Sequence, residues 1–364
     1  MDEWKPVFVL PNLDCRGKVE CEFAAIVPAN DSRVDKLRAD HPILGTFLSK
    51  FTGQFGNQVC PSLLVLRADA PQSVFTPEAV TGLRDVLSLS VVPYARAKRL
   101  WNDRRSGFVF TAAFQLYPWM LDAKYENIIL ANPGEMHLHL VEEFHGQTFA
   151  EQSPLTLMET DVDMALATEL LRRWVARFSQ AGADWQNKAL FRSLNMANEA
   201  AGIPAVTASV FYDVGRSLAL WVSACEILAH PGGNGQSNFG TVTALLEGVA
   251  WSDAALTAPN YQIGNSQQNV RPLPTWIYKK IYDLRNDFLH GNDVDGPALL
   301  LNAKPIIDFA ACIYRAALTH VLDLRFRETA PDMADVEAMA KYLAARTRFN
   351  RYQGMFERAL LRAV

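Results

Sequence analysis

Ile281-Tyr282-Asp283-Leu284-Arg285-Asn286-Asp287-Phe288-Leu289-His290-Gly291 reads as the closing turns of a helix, and that reading decides what the second half of the chain is. Ile277, Ile281, Leu284 and Phe288 recur at i, i+4, i+7 and i+11, the spacing of one apolar helix face. Gly291 follows the last periodic residue, where glycine accepts the left-handed backbone that ends a helix. Asn286 and His290 are four apart and share a face. Arg285 lies about 100° round the axis from Asn286, within reach for a long side chain. His290 falls in the last turn, where the negative end of the helix dipole favours an imidazolium. A permanent cation thus sits beside a base tunable near neutral pH, a set suited to phosphate chemistry without a metal. Arg and His in a last turn also serve as ordinary capping residues, so spacing alone leaves both roles open.

The flanking sequence is helical in the same way. Leu218 to Leu228 is the most apolar helix-like run, and Glu226 interrupts it. A carboxylate there is costly unless paired, and Arg285 is the natural partner, fixing or being fixed by Glu226. Exposure of Glu226 on a wetter side of its helix is the competing reading. Helices are expected over 161–179, 185–201, 207–230, 240–251, 274–290, 297–326, 332–346 and 351–363. Pro231-Gly232-Gly233-Asn234-Gly235 is a strong stop.

Before residue 155 strand signals dominate. Val19 to Val27 alternates with period two, and Val7–Leu10, Ser62–Leu66, Phe108–Leu116 and Glu135–His145 also read as strands. A helix opens at Thr76-Pro77-Glu78 and is expected to stop before Pro93. The expected fold class is α+β: a mixed α+β domain over 1–155, connecting helices over 156–204, and an all-α bundle with basic C-terminal helices over 205–364. The N-terminal domain is a place for a regulatory ligand or protein partner, or for placing substrate.

The 364 residues are 49% hydrophobic and 20% charged, which excludes disordered and collagen-like classes. The formal charge of -4 gives no global attraction to nucleic acid or to an acidic membrane. Met1-Asp2-Glu3-Trp4-Lys5-Pro6 does not read as a secretory signal, and no run approaches a membrane span. Five cysteines without a CxxC pair point to reduced thiols and a cytoplasmic setting, with Cys225 and Cys312 as small core residues. No cofactor or metal is expected.

Several other features carry weaker chemistry. Glu135, His137, His139, Glu143 and His145 would share one strand face, as metal ligands can, but a half-buried strand with a wet face explains them as well. The loop Gly232 to Ser237 follows a helix and lacks phosphate-loop spacing. Asn30-Asp31-Ser32 is a chance glycosylation match, and there is no GxSxG elbow. Two basic stretches could meet a polyanion. Lys341 to Val364 carries Lys341, Arg346, Arg348, Arg351, Arg358 and Arg362, with Tyr342, Phe349, Tyr352 and Phe356 available to stack on bases; the second is Arg96, Lys98, Arg99, Arg104 and Arg105 with Trp101. Solvated helix faces with aromatics turned inward are the plainer reading of both.

Arg285-Asn286-(x3)-His290-Gly291 at a helix end resembles the Arg-x4-His motif of the HEPN superfamily. Its local form, with Leu284 before and Asp287 after, looks most like the Apea-like HEPN branch. The preceding helix with Glu226 in Ser223-Ala224-Cys225-Glu226-Ile227-Leu228 fits that branch. The resemblance covers about residues 207–325. It implies a helical bundle that pairs as a homodimer, and a metal-independent endoribonuclease of a toxin, phage-defence or related stress system acting on RNA. Carried over, Arg285 would bind the scissile phosphate, His290 would transfer protons during attack by the 2′-hydroxyl, Asn286 would orient either, and Glu226 would stand behind. A ribonuclease also needs local positive charge, and outside the stretch the resemblance covers, Arg346, Arg348 and Arg351 of the basic C-terminal run would bind RNA. The alternative is a non-catalytic HEPN protein that dimerises and binds a ligand or nucleic acid.

Overall fold

The computed structural model describes all residues except 1–2, 18, 53–56, 104–105, 127, 129–154, 181–183, 204–209, 265 and 267. The protein is α+β, with a small N-terminal sheet and a helical C-terminal region. Its contacts divide it into two compact units that interleave along the chain. One comprises Met1–Leu87, Thr111–Val162 and Leu171–Gly182; the other comprises Ser88–Phe110, Asp163–Leu170 and Ala183–Val364. The division therefore does not fall at a single join near 155. Two helices are divided between the units: Pro77–Asn102 gives its start to the first unit and its remainder, from Ser88, to the second, whereas Met164–Phe178 gives its start, to Leu170, to the second and its remainder to the first.

In the first unit, β1 (Trp4–Leu10), β2 (Leu13–Cys15), β3 (Val19–Glu20), β4 (Ala24–Val27) and β5 (Ser62–Arg67) come early in the chain. Four form an antiparallel sheet in the order β1-β5-β4-β3. β2 pairs in parallel with β6 (Leu155–Leu157). Val9, Ala25, Val27, Leu63 and Val65 pack one sheet face against Val34, Leu37, Leu44, Phe47 and Phe51. The opposite residues Ala24, Ile26, Leu64 and Leu66 are equally closed to solvent. Burial of both faces explains why Leu63–Leu66 is a continuous apolar run. The expected single strand over 19–27 is instead a hairpin, β3 and β4, closed by Cys21 N donating to Ala24 O at 2.9 Å.

Two helices here carry little periodic signal. α1 (Ser32–Asp40) buries only Val34 and Leu37 and is started by Asp31, whose side chain accepts from Arg33 N. α2 (Pro42–Ser49) starts with proline in its first turn. α3 (Pro77–Asn102) runs straight through Pro93. A mid-helix proline costs about 3 kcal/mol. Leu89, Val91, Val92, Tyr94, Ala95 and Ala97 around it are almost wholly buried, and burying each such side chain returns on the order of 1–3 kcal/mol, so packing wins. Phe108–Leu116 is not a strand: short 3-10 turns occupy Gly107–Val109 and Thr111–Phe114, burying Phe108, Val109, Ala113 and Phe114. The strand expected over Glu135–His145 lies outside the described residues.

α4 (Met164–Phe178) joins the two units' segments. The helical unit contains α5 (Trp185–Gly202), α6 (Val210–Leu228), α7 (Phe239–Glu247), α8 (Leu273–His290), α9 (Ile306–Val321) and α10 (Val336–Leu360). α6 packs against α5, α8 and α9; α7 packs against α8 and α9; α10 lies on α9. Between α7 and α8 the strands β7 (Tyr261–Gln262) and β8 (Val270–Arg271) pair as a short hairpin. The helix expected from 297 begins only at Ile306. Before it, β9 (Leu300–Leu301) and β10 (Lys304–Pro305) form a hairpin whose turn residues Asn302 and Ala303 both have positive φ, the geometry of a two-residue turn. The helices expected over 332–346 and 351–363 are one: nothing between Arg346 and Arg351 breaks the pattern, and α10 continues through.

Candidate functional site at the end of α8

Of the stripe expected from spacing, α8 buries Ile277, Ile281 and Leu284, joined by Tyr278, while Phe288 is only half-buried; Arg285 and Asn286 are half-buried at its edge and His290 is exposed. Gly291 at φ 72° closes the helix; its N–H and that of Asn292 both donate to Asp287 O, and Asn292 Nδ2 donates to Asp287 Oδ1 at 2.8 Å. The Asp287 carbonyl is thus met by backbone N–H groups, and no His290 side-chain bond to the helix end is present among the described residues. His290 is exposed, and no hydrogen bond joins it to Arg285 or Asn286 among the described residues.

Arg285 and Asn286 do meet. Arg285 Nη1 donates to Asn286 Oδ1 at 2.8 Å. Both side chains are half-buried. The Arg285 guanidinium also lies over the Tyr282 ring, 5.6 Å from its centroid, and Tyr282 rests on Phe239 at 5.2 Å. Arg285 Nε is buried and has no partner, as has the Tyr278 hydroxyl. Asn286 and His290 are one turn apart, with Cβ atoms about 6 Å from each other.

Glu226 stands near the end of α6. Burial holds its carboxyl above the usual carboxylate range, and the Arg285 charge partly offsets this. The two residues therefore sense each other, yet no hydrogen bond or ion pair joins them among the described residues. The guanidinium is fixed by Asn286 and the aromatic bed rather than by Glu226. The start of α6 meets the end of α8 closely: a Cβ on Gly215 would stand 2.6 Å from the Phe288 ring. Spacing identified Arg285, Asn286 and His290 but not the aromatic bed; the pair Tyr278 and Tyr282, four apart, was its only trace in the sequence.

The two basic stretches fare differently. Arg346, Arg348 and Arg351 are exposed along α10. Tyr352 and Phe356 are buried and cannot stack on bases, while Tyr342 and Phe349 pack around Phe326 at 5.5 and 5.9 Å. Arg358 and Arg362 cover Trp101. In the stretch near residue 100, the described cations Arg96 and Arg99 are committed to partners inside the protein. Arg96 is fully buried, donates to the Val109, Ile307 and Ala201 carbonyls, and is brought down to about 10 by that burial, against the nearby Asp308 charge. Arg99 pairs with Asp308, and Arg104 and Arg105 lie outside the described residues. Among the described residues no group of His, Cys, Asp and Glu is placed to hold a metal ion, and no helix is long and apolar enough to cross a membrane. The first unit carries an open groove of about 570 Å³ lined by residues including Arg16, Arg38, Asp35, Asn57 and Cys60. All five cysteines are free, and burial pushes the Cys15, Cys225 and Cys312 thiols up.

No protein-family model matches the chain, and no curated protein or solved structure matches it significantly.

Proposed function

We propose that the protein is a metal-independent endoribonuclease of the HEPN type, in which Arg285, Asn286 and His290 act on an RNA phosphodiester. The observation that carries this reading is the end of α8: a guanidinium steadied by Asn286, with an exposed imidazole one turn beyond Asn286 that has no hydrogen bond among the described residues. In the proposed reaction the RNA 2′-oxygen bonds to phosphorus and the bond from phosphorus to the 5′-oxygen breaks. His290 takes the 2′-hydroxyl proton or gives one to the departing 5′-oxygen, and Arg285 neutralises charge building on the phosphoryl oxygens. A homodimer through the helical unit, which the resemblance implies, would supply a second motif for the other proton transfer. Arg346, Arg348 and Arg351 would hold RNA, and the groove in the first unit would take a regulatory ligand or protein. A setting in defence or toxin action belongs to the same reading.

The second reading is a non-catalytic HEPN protein that dimerises and binds a ligand or nucleic acid. It is favoured by the state of the two side chains: among the described residues no hydrogen bond orients the His290 ring, and one Arg285 donor is already taken by Asn286. Incubating the full chain with RNA in EDTA separates the two. Cleavage that falls by about 10²–10⁴-fold in His290→Ala, and comparably in Arg285→Ala, supports the nuclease. Equal cleavage by all three proteins, or none by any, supports the second reading.

A further inference from the structure

The start of α6 presents an exposed aromatic ring and an exposed cation one turn apart. Tyr212 is 64% exposed, the most open large aromatic among the described residues. Its ring is not loose. It stands edge-on to Phe211 at 5.6 Å and 85°, and Phe211 lies against Phe288 at 5.2 Å. Phe288 in turn is seated on Gly215, where only a missing Cβ leaves room for it. A chain of ring contacts, Tyr212 to Phe211 to Phe288, therefore runs to the end of α8, two residues before His290. Arg216 follows Tyr212 by four residues and shares its helix face. Its side chain is 61% exposed and pairs with the buried Asp213 at 3.0 Å. Its remaining N–H groups have no hydrogen-bond partner among the described residues.

We propose that Tyr212 and Arg216 form a platform for one unpaired nucleotide of an RNA strand entering the α8 site, the base stacking on the Tyr212 ring and a phosphate meeting the Arg216 guanidinium. A fixed aromatic face beside a held cation is what single-stranded nucleic acid requires, because every base has a π-face and every linkage an anion. A ring held along one edge by Phe211 loses less freedom than an unsupported one when a base covers it. A paired duplex offers no free base face, so the platform selects unpaired RNA. The choice of RNA as occupant rests on the ribonuclease reading; Tyr212 and Arg216 are specificity-determining residues in it and take no part in the chemistry.

The test uses the full chain and a single-stranded 2′-O-methyl oligonucleotide carrying 2-aminopurine, which attack by a 2′-hydroxyl cannot cut. Binding by the wild-type protein should quench the fluorophore. Tyr212→Phe should bind and quench alike, whereas Tyr212→Ala should lose the quench and bind about 10-fold more weakly. Arg216→Gln should lower the slope of log Kd against log salt by about one. Tyr212 is exposed, so these variants fold, as circular dichroism will show. Wild-type affinity and quench in Tyr212→Ala overturn the platform, as does a wild-type protein that binds no oligonucleotide. A Tyr212→Ala variant that loses self-association with oligonucleotide binding intact also overturns it and makes this face a contact between copies. Binding is read without cleavage, so a chain that binds through Tyr212 yet never cuts keeps the platform and loses only the nuclease.

Discussion

Glu226 feels two opposed forces, burial that favours its neutral form and the Arg285 charge that favours its carboxylate, and burial is the larger. Its folded-state affinity for a proton therefore exceeds that in the unfolded chain. The folded state is favoured by Glu226 below pH 4.5, and that contribution is lost as pH rises through and beyond 4.5. Glu226→Gln should then be at least as stable as wild type at pH 7, with the difference vanishing near pH 4, as urea melts at several pH values will show. A variant destabilised at pH 7 would mean the carboxylate is held by a partner after all. Arg285, Asn286 and His290 were legible from spacing because an apolar stripe dictates which way a helix turns its polar residues. The placement of Glu226 was only half legible: sequence shows a carboxylate in an apolar run, but not which neighbour reaches its partner first. Asn286 does, because it is adjacent in sequence and already on the same helix.

At the level of elements, two glycines fix how the site is built. Gly291 sits at φ 72°, where a side chain is strained by roughly 1–2 kcal/mol. Gly215 lets the Phe288 ring close on α6, and a methyl there would meet ring carbons at 2.6 Å. Gly291→Ala should lower stability by about 1 kcal/mol, while Gly215→Ala should cost about 1–3 kcal/mol by overpacking and displace the end of α8. Denaturant melts of both variants give the comparison. The helices of the second unit were legible wherever a full apolar stripe met a clear cap, as in α5 behind Asp184 or α8 before Gly291. Errors came where local and tertiary signals conflict. Pro93 looked like a stop but is held in α3 by buried neighbours on both sides, and α1 was missed because two buried residues make no pattern. Phe108–Leu116 has strand-like composition, yet its apolar side chains are buried by 3-10 turns.

Across the helical unit, one buried polar chain ties distant segments together. Asp163 Oδ2 accepts from Arg315 Nε and Nη2 at 3.1 and 2.9 Å, and both side chains are almost wholly buried. Arg315 Nη1 donates to Gln353 on α10, Gln353 to Glu357, and Glu357 accepts from Ser252 N at 2.7 Å. Removing one partner leaves a buried charge alone, so Asp163→Ala should cost on the order of 3–5 kcal/mol. Asp163→Leu combined with Arg315→Met should recover most of that loss in the same urea melts. This network accounts for Asp163 grouping with the helical unit while the residues up to Val162 group with the other, and long-range pairings of that kind leave no periodic trace.

The most direct measurement of the central claim is the chemistry of the ends left when the full chain cuts a defined single-stranded RNA in EDTA. Attack by the 2′-hydroxyl at Arg285 and His290 predicts 2′,3′-cyclic phosphate on one fragment and a 5′-hydroxyl on the other, with both products lost in His290→Ala. Fragments bearing 5′-phosphates, or the same products in equal yield from His290→Ala, would contradict it.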